Sequence, residues 1–323
     1  MKKISVVTSL YRSAPYIRDF YDKHHDCLNR LNVDFEFIFV DDGSPDNSVH
    51  IVRELLARCN RITLVRLSRN FGQHAAMFAG LAHATGDYIY ATDCDLEEAP
   101  ENIEKMFAML QSNSDIDVVY GVLRRRNAGL VADTLSSLFY FILNTMADVH
   151  IPHNQTWQRI MSKQYVQELL RYQEVMALPV GLMALVGFNQ EPLFIDKTFK
   201  GVTSYSLTRR TTLALSAFIS YSTKPLSWLC FAGLGLAGIS FAFILAICFA
   251  KSLGMDYQTG WSSLIASIWC VGGLVLFSIG IVGTYLARVF EQVKNRPRYI
   301  VKQISSSTGV IPSLAARQHA QTL

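Results

Sequence analysis

Phe35-Glu36-Phe37-Ile38-Phe39-Val40-Asp41-Asp42-Gly43-Ser44 is the segment on which the fold turns. Six residues, apolar except for Glu36, stop abruptly at two aspartates, a glycine and a serine. So short a run, apolar on both alternating faces, reads as a strand covered from both sides, the habit of parallel sheets. Upstream, Ile4–Ser9 is a second apolar, β-branched run, and Ser13 with Pro15 marks a helix start by cap and first-turn proline. Lys2 and Lys3 suggest a signal peptide, but Ile4–Leu10 is too short and is interrupted by Ser5, Thr8 and Ser9. Downstream, Val49, Ile51, Val52, Leu55 and Leu56 have helical spacing, and Ile62–Leu67 reads as a third strand. Phe71–Ala84 follows as helix, Asp87–Thr92 as strand, Glu101–Leu110 as helix and Val118-Val119-Tyr120 as strand. Strands alternating with helices predict an α/β domain, a Rossmann-like, mostly parallel sheet covered on both faces. Its ligand crevice is expected beyond the carboxyl ends of the strands. The pattern weakens from Gly121 to Gln173, where loops and helices that shape a site are expected, and the Ser/Ala/Gln-rich segment Ser305–Leu323 is expected to be flexible.

The chain has 323 residues, 50% of them hydrophobic and 17% charged, with a mean hydropathy of +0.20. This composition excludes disorder and collagen-like structure, and it suits a soluble domain carrying a few membrane helices. Two uncharged stretches, 226–250 and 261–287, each exceed the roughly 20 residues that span a bilayer core. The loop between them is short and nearly neutral. Arg209, Arg210 and Lys224 precede the pair, while Arg288, Lys294, Arg296 and Arg298 follow it. The positive-inside rule makes the pair a hairpin with both ends cytoplasmic. Residues 211–225 place Leu215, Phe218 and Ile219 at helical spacing, as a helix in the membrane surface or a cover on the soluble core. The expected organisation is a catalytic domain over 1–210, an interfacial helix over 211–225, a transmembrane hairpin over 226–287 and a basic tail over 288–323. That tail holds six basic residues against Glu291, which leaves the other 287 residues at −1 of the net +4 and argues against a nucleic-acid surface. Cysteines 27, 59, 94, 230, 248 and 270 fit neither a metal-ligand spacing nor a disulfide framework.

Two strand ends carry acids: Asp41-Asp42, then Asp93-Cys94-Asp95 with Glu97 and Glu98 beyond. Carboxylates crowded at the lip of a sheet repel one another unless a cation lies between them, and a hard divalent ion, Mg²⁺ or Mn²⁺, is the simplest neutraliser. Asp46 and Asn47 are read instead as turn and cap residues. His24, His25, His74 and His83 lack partnered spacing and are read as surface or packing residues.

These motifs resemble the GT-A glycosyltransferases of family 2, and within them the membrane-bound polyprenyl-phosphate branch that includes bactoprenol glucosyltransferases and dolichol-phosphate mannose synthase. The resemblance runs from about Lys3 to Arg298. It is carried by Phe37–Ser44, by Leu67-Ser68-Arg69-Asn70-Phe71-Gly72, by Asp93-Cys94-Asp95-Leu96, by Val118–Gly121 and by Ser222–Leu226. It implies a GT-A catalytic domain followed by a C-terminal two-helix transmembrane hairpin in the inner or plasma membrane. Asp41, Asp42, Arg69 and Asn70 would face the nucleotide-sugar donor. Asp93 and Asp95 would hold a divalent cation on its diphosphate, with Glu97 where the family often carries glutamine. The branch often reads Asp-Phe-Arg-Leu-Met after an Ile-Pro pair. Here Ile151-Pro152 is followed by Trp157-Gln158-Arg159-Ile160-Met161, so the aspartate has become Trp157 while Arg159 is kept, which implies an altered sugar pocket with Trp157 stacking on the sugar or simply packing.

The implied reaction is inverting transfer of one sugar, from a donor read as UDP-linked, to undecaprenyl or another polyprenyl phosphate. A phosphate monoester with a second pKa of about 6 is ionised at neutral pH and needs no strong base. It needs cations to hold it, for which Arg124, Arg125 and Arg126 after the fifth strand are suited, with Arg159 as a further candidate. A solvated basic patch beside anionic lipid is the alternative for the arginine run. A two-helix anchor forms no transport path, so a separate flippase and a downstream glycosyltransferase for envelope polysaccharide are implied partners; a homo-oligomer is left open. A processive polysaccharide synthase of the same fold would need a Gln-x-x-Arg-Trp motif and more spans. A non-catalytic membrane scaffold would have no use for intact Asp42, Asp93 and Asp95.

Overall fold

A computed structural model of the protein describes residues 1–124, 144–145, 154–172, 179–197, 224–253, 260–307 and 309–312. They belong to two compact units, one comprising Met1–Phe141, Val149–Ser206 and Pro297–Leu323, the other Ile142–Asp148 and Leu207–Arg296.

The first unit is built on a nine-stranded sheet. Its strands are β1 (Lys3–Leu10), β2 (Asp34–Asp41), β3 (Ile62–Leu67), β4 (Tyr88–Ala91), β5 (Val118–Leu123), β6 (Gln155–Ser162), β7 (Gln190–Ile195), β8 (Val301–Ser306) and β9 (Gly309–Pro312). The order across the sheet is β7-β5-β6-β4-β1-β2-β3-β8-β9. The centre, β4-β1-β2-β3, is parallel throughout, and only β6 and β8 oppose the common direction. The expected α/β architecture with a mostly parallel sheet is therefore present. Its helices are α1 (Ile17–Leu31), α2 (Ser48–Arg58), α3 (Gln73–Ala82), α4 (Asn102–Ser112), α5 (Lys163–Arg171) and α6 (Pro179–Leu185).

Strand β2 shows why its sequence is apolar on both faces. Phe35, Phe37 and Phe39 join a cluster with Ile17, Phe20 and Leu28 of α1, Val52 of α2 and Ile103 of α4. Ile38 and Val40 point the other way, into a cluster with Ala76, Met77 and Leu81 of α3 and with Tyr165 and Leu169 of α5. Each such side chain, fully buried, contributes about 1.5–3 kcal/mol. The interruption at Glu36 is accommodated at the far end of the sheet, where its carboxylate takes hydrogen bonds from Lys3, Ser5 and Thr85.

Two expectations are corrected, and one strand, β7, lies outside them. The region Gly121–Gln173, expected as loops and helices, contains the helix α5 but also a strand, β6, inserted antiparallel between β4 and β5. Gln158 and Arg159, both buried, break the apolar pattern of β6. Gln158 is satisfied internally, accepting from Asn102 Nδ2 at 2.7 Å and donating to the Ala99 carbonyl at 3.1 Å. Strand β7 was also not anticipated. Finally, part of the supposedly flexible tail, Ser305–Ser306 and Gly309–Pro312, lies in β8 and β9.

The second unit contains α7 (Lys224–Ser252) and α8 (Trp261–Val293), which cover both uncharged stretches. Within α8, Ser267–Val293 is long and apolar enough to cross a membrane; in α7 the described apolar segment, Leu226–Leu236, is shorter. The interfacial helix expected at 211–225 falls, up to residue 223, outside the described residues.

His24 of α1 is wholly inside the first cluster. Its Nδ1 lies 2.9 Å from the Phe20 carbonyl, and its ring sits 4.2 Å from the Phe20 ring. Burial lowers its pKa from 6.5 to about 4, against the pull of that carbonyl. The folded chain therefore resists a proton that the unfolded chain accepts, and stability is lost as pH falls from the ordinary value toward the depressed one. Between about pH 7 and pH 5 this loss is on the order of 2 kcal/mol. His24→Leu should lose less thermal stability than wild type over that interval, and parallel losses in both proteins would refute the assignment.

Candidate functional site

The register levels the carboxyl ends of the parallel strands: Leu10 pairs with Asp41, Asp41 with Arg66 and Val7 with Ala91. Because β6 runs the opposite way, its first residues, including Trp157, lie at that same rim. Arg124 follows the last residue of β5, and Lys197 lies just beyond β7. One rim thus collects Asp41, Asp42, Arg69, Asn70, Asp93, Asp95, Glu97, Arg124 and Trp157. Arg125 and Arg126 lie outside the described residues. Arg159 sits one step below the rim and is only 1% exposed.

Asp42 is a clasp. Its Oδ1 accepts from the Phe71 amide at 2.7 Å and its Oδ2 from the Gly72 amide at 2.9 Å, tying the end of β2 to the segment between β3 and α3. Gly43 lets these backbones meet: its φ is +65°, and a Cβ there would fall 2.7 Å from the Asn70 nitrogen and 2.9 Å from the Arg69 carbonyl carbon. Arg69 and Asn70 are left exposed between these fixed points, with the Arg69 guanidinium 4.0 Å from the Phe71 ring. Asp41 is buried and accepts from the Ser44 amide at 2.9 Å and from Arg66 Nε at 3.5 Å. Burial pushes both carboxyls upward while these donors oppose it. Asp46 has the expected turn role. Despite partial burial, hydrogen bonds from Ser44, Ser48 and Ala14 hold its pKa at about 2.

After β4 the chain places Asp93 and Asp95 at the rim and turns Cys94 inward. Gln73, the first residue of α3, donates to Asp93 Oδ1 at 2.6 Å. Burial, then the charge of Asp95, pushes Asp93 up to about 6. Leu96 takes a left-handed φ of +58°, a strained conformation for a leucine, and so reverses the chain directly behind the motif. Glu97 pairs with Lys197 at 2.8 Å. Glu98 is 4% exposed and bridges through its backbone to Lys197. Burial and then Asp93 raise it to about 7. Below the rim, Arg159 donates to the Thr156 carbonyl at 2.8 Å and touches the Met183 sulfur. Its guanidinium lies 5.8 Å from the Trp157 ring, which in turn sits 5.3 Å from the His74 ring.

Among the described residues no three His, Cys, Asp or Glu side chains converge to enclose a metal. Asp93 and Asp95 nevertheless fit a divalent ion of the Mg²⁺ type, which takes one or two carboxylates and fills its remaining positions with substrate phosphates and water. The raised pKa of Asp93 marks a cluster short of positive charge. Glu97, expected as a third ligand, is engaged by Lys197. Gln73 and Lys197 were not singled out from the sequence, and Glu98 was read only as part of the acid cluster. Gln73 could have been, as the residue after the Gly72 that opens α3. Lys197 reaches the acids only because β7 pairs with β5, a contact with no local signal.

The family model described as "Glycosyl transferase family 2" matches residues 5–170. A sequence of Mycobacterium tuberculosis (strain CDC 1551 / Oshkosh) named among the glycosyltransferases is 36% identical over 305 residues, covering 94% of this chain and 89% of its own. The SfII prophage-derived bactoprenol glucosyl transferase of Shigella flexneri is 29% identical over 303 residues, covering 93% and 98%. Among solved structures, the mannosyltransferase PcManGT from Pyrobaculum calidifontis in complex with GDP-Man and Mn²⁺ aligns with a TM-score of 0.45 at 16% identity, covering 88% and 87%.

Gly43→Ala would set a methyl group against backbone at a positive φ. It should destabilise the domain by on the order of 2 kcal/mol, read as a lowered thermal midpoint. An unchanged midpoint would mean that the clasp tolerates a wider separation than its geometry implies.

Proposed function

Because the chain belongs to glycosyl transferase family 2, we propose that it moves a single sugar from a nucleotide-sugar donor, UDP-linked, to a polyprenyl phosphate such as undecaprenyl phosphate. The observation that carries this reading is the gathering on one rim of the Asp93–Asp95 pair, the Asp42-clasped segment and Arg124, with a bactoprenol glucosyl transferase alignable over nearly the whole chain. In this reading 226–250 and 261–287 form a two-helix transmembrane hairpin with both ends cytoplasmic, and the catalytic domain works on the cytoplasmic face. The uncharged lengths of both stretches and the flanking arginines and lysines support it.

Each residue then has a task. Asp41, Asp42, Arg69 and Asn70 form the wall that receives the nucleotide. Trp157, in place of the family's aspartate, offers an aromatic face to the sugar, with Arg159 propping it from below. Asp93 and Asp95 hold a divalent cation, which when bound supplies the positive charge against which the nucleoside diphosphate departs. Arg124, with Arg125 and Arg126 next to it in sequence, orients the acceptor phosphate. The bond from the anomeric carbon to the diphosphate oxygen breaks as the bond to the lipid phosphate oxygen forms, so the configuration inverts. The acceptor is already anionic and hands no proton to the protein. A separate flippase would carry the product across the membrane to a second transferase.

Membranes containing the full chain, given labelled nucleotide sugars and undecaprenyl phosphate, should yield a lipid-extractable, acid-labile sugar product. Asp95→Asn should reduce it roughly 100-fold or more, and chelation of divalent ions should abolish it until Mg²⁺ or Mn²⁺ is restored. Equal product from Asp95→Asn and wild type would remove Asp95 from the mechanism, and full activity in chelator would remove the cation.

A further inference from the structure

Beyond β3 the sheet is continued by β8, a strand reached only after the chain has left α8 and crossed residues 294–300. It runs antiparallel to β3, and its first residue, Val301, pairs with Leu67, the last residue of β3, so β8 begins at the catalytic rim. Immediately before it, the Ile300 carbonyl accepts the Ser68 amide at 2.9 Å. The segment that presents Arg69 and Asn70 is therefore gripped at both ends, by Ile300 at Ser68 and by Asp42 at Phe71 and Gly72.

A second linkage starts where the β3–β8 register shifts, between Arg66 and Leu67. Arg66 Nη1 donates to Gln303 Oε1 at 3.4 Å, and its Nε donates to Asp41 Oδ2 at 3.5 Å. Neither contact is short enough to fix the guanidinium alone, but a planar fork held between two acceptors has one orientation. Asp41 is buried, and besides Arg66 its carboxylate accepts from the Ser44 amide. Arg298 adds a third anchor: it donates to the Tyr172 carbonyl and lies 4.7 Å from the Phe78 ring of α3, the helix whose first residue holds Asp93.

We propose that β8 is a positioning element of the donor site: Ile300 fixes one end of the Ser68–Gly72 segment, and Gln303, acting through Arg66, fixes the Asp41 carboxylate. This rests on the donor wall assigned above and extends it, since the wall is completed by residues C-terminal to α8. The catalytic domain is then not closed by the first 210 residues.

The test uses purified full-length protein, free UDP and GDP as probes of the wall, and steady-state kinetics. Gln303→Leu should weaken nucleotide binding and raise the donor KM by about three- to ten-fold, leaving kcat, the acceptor KM and the thermal midpoint as in wild type. Gln303→Glu, which keeps an acceptor for Arg66, should restore donor binding. Lys302→Ala, exposed on the same strand, should behave as wild type. Should Gln303→Leu not fold, Arg66→Lys keeps the charge, loses the fork and should show the same donor-only loss. Wild-type nucleotide affinity in Gln303→Leu would overturn the proposal, as would a fall in both substrates' affinities with a lower thermal midpoint that Gln303→Glu does not repair. If wild type binds UDP or GDP yet transfers no sugar to lipid, the functional reading fails and the binding comparison still judges the strand. If wild type binds neither, both fall.

Discussion

Asp42 accepts the amides of Phe71 and Gly72, and much of the rim takes its shape from that pair of hydrogen bonds. They draw the end of β2 against the segment after β3 so closely that only a glycine fits at position 43. They also set the start of α3, whose first side chain reaches across to Asp93. A carboxylate whose two oxygens are taken by backbone amides is rigid in a way that a solvated one is not. Asp42 therefore organises this part of the rim from within, while Arg69 and Asn70 are exposed.

The electrostatics of the rim have one sense. Asp93 and Glu98 are both pushed upward by burial and by neighbouring acids, and Lys197 is the cation that opposes the shift in each case. Such a cluster gains stability from whatever brings positive charge or hydrogen-bond donors into it. Below it, the buried Arg159 balances part of the negative charge without reaching the surface. Such a rim suits the proposed donor, a diphosphate accompanied by a divalent ion.

Much of this was legible because the chemistry is local. The two-faced apolar run of β2 announces a covered parallel strand, and acids directly after such strands must lie at the carboxyl edge. That reasoning places Asp41, Asp42, Asp93 and Asp95 correctly on one rim. It fails at β6, because Gln158 and Arg159 are polar yet buried: Gln158 is satisfied by α4 and the loop before it, while Arg159 donates to the Thr156 carbonyl and leaves its Nε without a partner among the described residues. It fails again at β8, which pairs antiparallel with β3, because ladder partners leave no trace in side-chain pattern.

The alternation of strand and helix, the uncharged helices near the C-terminus, and the type and order of the acidic and basic groups are written in the chain itself, because periodicity and charge are properties of neighbouring residues. Which of those groups are clasped, paired or buried comes from folding: that Asp42 is spent on two amides, that Glu97 belongs to Lys197, that Arg159 lies under the rim. It alone brought Gln303 to Arg66, 237 positions earlier in the chain. The physical reason is that a hydrogen bond depends on distance in space, and distances between residues so far apart are fixed only when the whole sheet has assembled.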